Sequence, residues 1–234
     1  MKTITSWSFT KVLDFERCKF YAFLKYACYI PEPARPLLPG QTEQANDRGS
    51  RLHEAGDQYV NGKINALDPG LRAFAPEFKQ LRHAMALRKV STEEEWGFDK
   101  DYNPTDWKTA WHRSKVDAQY MLNPYHAVTI DYKSGRKDGN EGKHGQQLQL
   151  YAVDTVMRMP DVEEVTCEAW YLDKNEITTV TYPRPVVMAF KKSWMQRGKA
   201  VTSATDFPPN PNKFTCRYCQ YGPWNGGQCQ AGVR

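Results

Sequence analysis

The chain has 234 residues, of which 40% are hydrophobic, 13% aromatic and 25% charged. This length supports one sizeable core, and the aromatic content excludes an intrinsically disordered protein. No apolar run approaches the roughly 20 residues that a bilayer span needs, and the first residues lack the features of a signal peptide. We therefore expect one domain of a cytoplasmic protein that has no membrane partner.

The net charge of +5 and the six cysteines restrict the partners and cofactors. From Pro183 onward there are eight Lys or Arg and one acid, Asp206. Such a segment favours a polyanionic partner, and it is equally typical of a solvated basic helix face. The residues predicted to contact nucleic acid there are Lys191, Lys192, Arg197 and Lys199.

Because the cytosol keeps thiols reduced, the cysteines are expected to be metal ligands or buried hydrophobes.

The first part of the chain is predicted to be helical. Apolar spacing predicts one or two helices over residues 6–27, with Cys18 inside. Four prolines in residues 31–40 exclude a helix there and predict a loop. Two further helical stretches are predicted at residues 42–62 and from about 70 to 90.

From residue 91 the apolar pattern changes to the two-residue period of strands. The predicted elements are a strand at residues 92–99, a turn at 103–107, two strands joined by Asn123-Pro124, a helix at 146–157, a hairpin around Lys174-Asn175, a basic helix at 186–204 and an irregular tail. The polar, glycine-rich residues 137–144 are expected to form a mobile loop near the functional site.

Asp131 and Lys133 end one of the predicted strands, and residues two apart on a strand point to the same face. A carboxylate can hold a divalent cation that activates water, and an ammonium can position that water, so the pair suits phosphodiester hydrolysis. Asp117 on the preceding strand and His53 on the second helix can add ligands. Taken singly, each also fits an ordinary role, an ion pair at the end of a strand or a buried, hydrogen-bonded histidine.

Several short motifs occur in one order along the chain. They are residues 6–18, Gly49-x-x-x-His53, Val116-Asp117, Ile130-Asp-Tyr-Lys-Ser-Gly135, Gln147-Leu-x-Leu-Tyr-Ala152 and Cys216-x-x-Cys219. Together they resemble the PD-(D/E)XK nucleases of the RecB/Cas4 type. The resemblance implies an α/β (α+β) fold, a restriction-endonuclease-like mixed β-sheet core flanked by helices. Within one nuclease domain, 1–234, it implies a mainly helical part at 1–90, the catalytic sheet core at 91–182, and the basic helix and cysteine-rich tail at 183–234.

The same resemblance implies the roles of the site residues. The implied ligands of Mg²⁺ or Mn²⁺ are His53, Asp117, Asp131 and the Tyr132 carbonyl, and the implied catalytic residues are Asp117, Asp131, Lys133, Gln147 and Tyr151, of which the last two position the lysine or the substrate. Glu95 is expected to be a peripheral acid or, more simply, to face solvent. One departure is Ser114-Lys115-Val116, where the family often has glycine before the aspartate, which alters the strand or the approach of substrate.

The resemblance also implies that the cysteines bind a cofactor. The positions that match a [4Fe–4S] cluster are Cys18, Cys216, Cys219 and Cys229, and four thiolates are what such a cluster requires. A Cys₄ zinc site is the alternative, since Zn²⁺ uses the same ligands. A third reading keeps only the terminal Cys-x-x-Cys and places Cys18 in the core. Cys28 and Cys167 are expected to be buried hydrophobes.

The function implied by the resemblance is a metal-dependent DNA exonuclease acting on single-stranded DNA or duplex ends. It would serve recombination, repair or phage DNA processing in a bacterial, archaeal or phage-infected cell, and a protein partner in a recombination or CRISPR/phage complex fits the same resemblance. Two alternatives are a binding or assembly subunit that does not cut DNA, and a structure-specific endonuclease.

Overall fold

The computed structural model describes residues 2–34, 36–37, 40–87 and 89–234. The strands are β1 Val90–Phe98, β2 Pro104–Thr105, β3 His112–Asn123, β4 His126–Lys133, β5 Glu164–Tyr171 and β6 Glu176–Pro183. The helices are α1 Phe9–Arg17, α2 Lys19–Ala22, α3 Ala45–Val60, α4 Ala75–Ala86, α5 Glu141–Arg158, α6 Arg184–Thr202 and α7 Lys213–Cys216. A π-helical turn lies at Phe23–Ala27, and 3₁₀ turns lie at Pro69–Phe74 and Pro223–Asn225.

The strands form one mixed sheet in the order β2-β1-β3-β4-β5-β6. Strands β4 and β5 run parallel, and every other neighbouring pair is antiparallel. A parallel pair needs a long crossover connection, which α5 provides here. The predicted restriction-endonuclease-like mixed sheet flanked by helices is therefore confirmed.

Helices cover both faces of this sheet and bury two cores. On one face α1, α5 and α6 enclose side chains such as Trp96, Val153 and Trp194. On the other face α3 and α4 pack their apolar side chains, including Phe78, against Ile130. Strand β4 is buried on both faces, with Ala127 in the first core and Val128 and Ile130 in the second. Asp117 within β3 and Asp131 near the end of β4 consequently lie between two helical layers.

The helical first part differs from the prediction in two places. Residues 6–27 form two helices and a π-helical turn, but Cys18 lies at the junction of α1 and α2 with an extended backbone (φ −162°, ψ 112°) and not inside a helix. The helix predicted from 70 to 90 begins with a 3₁₀ turn and ends at Ala86, because the chain enters β1 at Val90.

Four positions in these predicted elements cannot be compared with the structure. Residues 35, 38 and 39 of the predicted loop and residue 88 of the predicted helix lie outside the described residues.

Helix α5 begins earlier than predicted. It starts at Glu141, inside the segment that was expected to be a loop at residues 137–144. The acidic Glu141 in its first turn complements the helix dipole, and the His144 amide donates to the Asn140 carbonyl. In the part of the chain that the structure describes, no helix has the length and apolar character to cross a bilayer.

Candidate active site

Carboxylates form a row across three neighbouring strands. The register of β1 and β3 pairs Thr92 with Ala118 and Glu94 with Val116, which places Glu93 level with Asp117. In the β3–β4 pair Ala118 lies opposite Ile130, so the next residues in register are Asp117 and Asp131. Residues directly opposite on antiparallel strands have side chains about 5 Å apart, and like charges there repel. The row therefore needs cations between or beside its members.

His53 supplies one of these cations from α3. Its Nδ1 lies 3.0 Å from Asp117 Oδ1 and 3.7 Å from Glu93 Oε1, and its Nε2 lies 3.1 Å from the Tyr132 carbonyl oxygen. Because both ring nitrogens face acceptors, the ring carries two protons. Burial alone would lower the pKa of His53, but the neighbouring carboxylates, led by Asp117, raise that pKa to about 10.

Lys133 supplies a second cation and is held from two sides. Its ammonium forms an ion pair with Asp131 and donates to Gln147 Oε1 at 2.7 Å. Gln147 donates in turn to the Tyr151 hydroxyl at 2.9 Å, and that hydroxyl donates to the Lys115 carbonyl at 3.0 Å. This chain of hydrogen bonds ties α5 to β3 and fixes the position of the lysine.

Asp131 is almost fully buried, with 2% of its surface exposed. Burial raises its pKa to about 6, against the pull of the Lys133 ammonium and with added repulsion from Asp117. Asp117 is also buried, and its Oδ2 accepts the Tyr132 amide at 2.5 Å. Burial and crowding thus leave these carboxylates dependent on nearby positive charge.

Glu93 belongs to the site although the sequence did not single it out. It forms an ion pair with Lys115, and burial, which would raise its pKa, is outweighed by hydrogen bonds from His53 and Lys115, which lower that pKa. Its φ of +54° lies in the left-handed region, which is strained for a residue with a side chain. Glu95, the acid considered from the sequence, is exposed.

The strained backbone at Glu93 explains why alternation did not predict it. Val90 packs in the core under α3 and α4, whereas Trp96 packs in the core under α5. Six residues apart, the two side chains would share a face of a regular strand. The strand therefore switches faces near Glu93. The available signal was the run of three consecutive glutamates, of which Glu94 and Glu95 are exposed and only Glu93 is partly buried.

A comparison with family models shows which superfamily the chain belongs to. A family model described as the PD-(D/E)XK nuclease superfamily matches residues 6–122 and 121–224. The chain belongs to the PD-(D/E)XK nuclease superfamily. This confirms the superfamily predicted from the sequence motifs, and it makes nucleic acid the substrate class of the fold.

Solved structures resemble this nuclease-family chain along nearly its whole length. The protein SSO0001 is 15% identical with a TM-score of 0.50, over 100% of this chain and 90% of that one. A protein from Eubacterium rectale described as a candidate exonuclease is 13% identical with a TM-score of 0.50, over 94% of this chain and 88% of that one. At these identities the likeness shows the fold alone. No curated protein matches the chain.

The donor atoms of this PD-(D/E)XK site suit a hard divalent cation. Ligand atoms of His53, Glu93 and Asp117 lie within 4.8 Å of one another, and the Tyr132 carbonyl faces His53. Oxygen donors with one imidazole are ligands that Mg²⁺ or Mn²⁺ accepts. Asp131 lies outside that compact group, beside Lys133. An open cavity of about 800 Å³ leads to these residues, which is ample room for a strand of nucleic acid.

The four cysteines that were predicted to bind a cofactor all line one small cavity. They come from the α1–α2 junction and the C-terminal tail, and they are Cys18, Cys216, Cys219 and Cys229. All are free thiols, and the Asn210 amide donates to Cys18 Sγ at 3.4 Å. Among the described residues the only compact ligand group is that of His53, so no three cysteine sulfurs lie within 4.8 Å of one another.

The two remaining cysteines differ in burial. Cys167 is fully buried, as expected, and its thiol donates to the Leu148 carbonyl at 3.4 Å. Cys28 is only half-buried, because it caps the π-helical turn at the surface. The expectation that both are buried hydrophobes was therefore wrong for Cys28.

Four basic residues of α6 were predicted to contact nucleic acid. None of Lys191, Lys192, Arg197 and Lys199 lines the cavities beside Lys133. Arg197 is already held by Glu16, at 2.7 Å, and by Gln146, at 3.0 Å. Lys192 and Lys199 are exposed. A role of this helix in nucleic-acid binding stays a prediction, and it requires DNA to extend over the α6 surface.

Proposed function

We propose that this chain is a metal-dependent DNA nuclease, an exonuclease that hydrolyses phosphodiester bonds in single-stranded DNA or at DNA ends during recombination, repair or phage DNA processing. The observation that carries the proposal is the position of Lys133, held between Asp131 and Gln147 beside the row of carboxylates. An ammonium fixed next to a cluster of groups able to bind a metal ion is an arrangement that suits phosphodiester hydrolysis.

Mg²⁺ or Mn²⁺ is the proposed ion, and its proposed ligands are His53, Glu93, Asp117, Asp131 and the Tyr132 carbonyl. The bound ion would polarise the phosphate and make water a stronger nucleophile. The chain's own contribution is to hold these groups before substrate arrives. Gln147 and Tyr151 keep Lys133 aimed into the site, where its ammonium can donate to the attacking water or to a phosphate oxygen.

The intact set of acids, histidine and lysine argues against a subunit that only binds DNA. A cleavage assay tests this with end-labelled single strands, end-labelled duplexes and closed circular DNA. We expect release of nucleotides from linear DNA with Mg²⁺ or Mn²⁺ and none with chelator. Cleavage of closed circles would show that the protein is an endonuclease and not an exonuclease. DNA binding without cleavage in the presence of either metal would contradict the proposed nuclease activity.

We further propose that Cys18, Cys216, Cys219 and Cys229 bind a [4Fe–4S] cluster that joins the two ends of the chain. The shared cavity supports this. Four thiolates on one zinc ion, each at about 2.3 Å, would stand less than about 4 Å apart, and the sulfurs here are not so compact. A cluster of four irons is a larger body and holds its thiolates further apart.

Metal analysis of protein purified without oxygen tests the cluster. We expect iron and acid-labile sulfide with broad visible absorbance that bleaches on reduction. Cys18→Ser should lose iron and lower the melting temperature, whereas Cys28→Ser, which lies outside the cavity, should do neither. Colourless protein with stoichiometric zinc would favour the Cys₄ zinc alternative and contradict the cluster.

A further inference from the structure

A second cavity, of about 360 Å³, is lined in part by Gln147 and Tyr151. It forms where the N-terminus of α1 meets β3, and we name it the basic pocket. Its defining residues are Ser8, Lys11, Trp107, Arg113 and Ser114. Thr10 and Lys115 line both this pocket and the catalytic cavity, so the two spaces adjoin.

The basic pocket holds two cations without a counter-charge. No acid is among the residues that line it, and neither Lys11 nor Arg113 forms an ion pair with any described residue. The Lys11 ammonium donates only to the carbonyl and hydroxyl of Ser6, and Arg113 Nη2 donates to the Lys108 carbonyl. Burial and then the Arg113 charge lower the pKa of Lys11 to about 8. A bound anion would relieve this repulsion.

The pocket also contains donors that have no acceptor. Ser114 is 6% exposed, and its hydroxyl has no hydrogen-bond partner among the described residues, nor has Arg113 Nε. A buried donor without an acceptor costs free energy, so a ligand oxygen would complete both groups. Helix α1 begins here, with Ser8 as its N-cap and no acid in its first turn, which leaves the positive end of its dipole uncompensated.

These features select one class of ligand. A hydroxyl, a guanidinium, an ammonium and a helix N-terminus together are donors for phosphate. Trp107, whose ring lies 5.4 Å from the Arg113 guanidinium, adds an aromatic surface on which a base can stack. We propose that the basic pocket binds a phosphate group of the substrate strand other than the one that is cleaved. The proposal rests on the proposed nuclease function and assigns the pocket to that substrate.

Direct titration tests the pocket without any cleavage. Inorganic phosphate is added to the whole protein in chelator, and heat is measured for the wild type, Ser114→Ala, Lys11→Gln and the control Lys79→Gln. Ser114→Ala removes a hydroxyl that has no hydrogen-bond partner in the described part of the chain, so folding should be unharmed. We expect both pocket variants to bind phosphate at least about tenfold more weakly and the exposed Lys79 variant to bind normally. Equal binding by all four proteins overturns the proposal.

Cleavage assays distinguish the two sources of the phosphate. Strands carry a phosphate or a hydroxyl at either end, or one uncharged methylphosphonate at successive internal positions. A terminal source predicts that the wild type prefers one phosphorylated end at least about tenfold, and an internal source predicts the same loss at one methylphosphonate position. In either case Ser114→Ala should no longer discriminate.

The outcomes separate the pocket from the proposed function. If the wild type and Ser114→Ala respond identically to every strand, the pocket does not bind substrate phosphate and the inference is wrong. If the wild type cuts nothing, the proposed function fails, and the phosphate titration alone decides the pocket.

Discussion

The proposed catalytic centre and the basic pocket adjoin each other, but their charges are balanced in opposite ways. In the centre, Asp131 and Glu93 each have a lysine partner, and Asp117 has His53. In the pocket, Lys11 and Arg113 have no acid partner in the described part of the chain. In the centre, a metal ion can replace the protons and ammonium groups that now balance the acids. A site with unbalanced cations is incomplete until an anion arrives.

The largest expected effect comes from removing the ammonium of the centre. Lys133→Gln should lower cleavage by about a thousandfold or more, because among the described residues the lysine is the only cation that forms an ion pair with Asp131, and its charge acts in a buried site. The fold should persist, since the pKa of Asp131 is already about 6 and the carboxyl can protonate once the ammonium is gone. Circular dichroism checks the fold and single-turnover cleavage checks the rate.

The matched control is Lys174→Ala, which removes a lysine from an exposed ion pair with Asp138 at 3.4 Å. It should retain the wild-type rate. If the control also loses cleavage, or if Lys133→Gln keeps full activity, Lys133 has no role in cleavage that a surface lysine lacks.

The next effect concerns the acid that completes the row. Glu93→Gln keeps the shape of the side chain but removes the charge that faces His53 and Lys115. We expect affinity for Mn²⁺ and the rate of cleavage to fall by about tenfold to a hundredfold. Glu95→Gln, two residues away and exposed, is the control and should change neither. Equal effects of the two substitutions would mean that Glu93 takes no specific part in metal binding.

Comparison of Asp131 and Lys133 with Glu93 shows which site residues can be predicted from the sequence. Asp131 and Lys133 could be predicted because the period of a strand is local and both residues end a regular one. Glu93 could not, because its strained backbone and its change of face come from the packing of two separate cores. The basic pocket was equally hidden, since Lys11 lies in α1 and Arg113 in β3, and no local pattern connects them.

A smaller, graded effect should appear in the pH dependence of metal binding. The pKa of His53 is raised to about 10, so at neutral pH a metal ion must displace its proton, and affinity for Mn²⁺ should rise about tenfold per pH unit. The pKa of Asp131 is raised to about 6, so below that pH a second proton must leave and the rise should be steeper. Above about pH 6 the slope should fall to one proton.

Calorimetry in buffers of different ionisation enthalpy counts these protons. We expect about one proton released near pH 7.5 and nearly two well below pH 6. His53→Gln binds the ion more weakly and should release one proton fewer. Mn²⁺ binding without proton release at neutral pH would mean that the imidazole enters the site uncharged, against the geometry of its two acceptors.

The smallest expected effect comes from the hydroxyl that links the two regions. Tyr151 lines the basic pocket, and its hydroxyl accepts from Gln147 and donates to the Lys115 carbonyl. Tyr151→Phe keeps the ring and removes both bonds, so Gln147 holds Lys133 less firmly, and we expect a loss of about threefold to tenfold in single-turnover rate. Because Lys133 itself remains, kcat should fall while KM for a short strand stays the same.

The control is Tyr171→Phe, which removes a hydroxyl that is bonded to His144 at 3.0 Å and lies outside this chain of hydrogen bonds. If Tyr151→Phe instead raises KM at constant kcat, the hydroxyl belongs functionally to the pocket and not to the lysine.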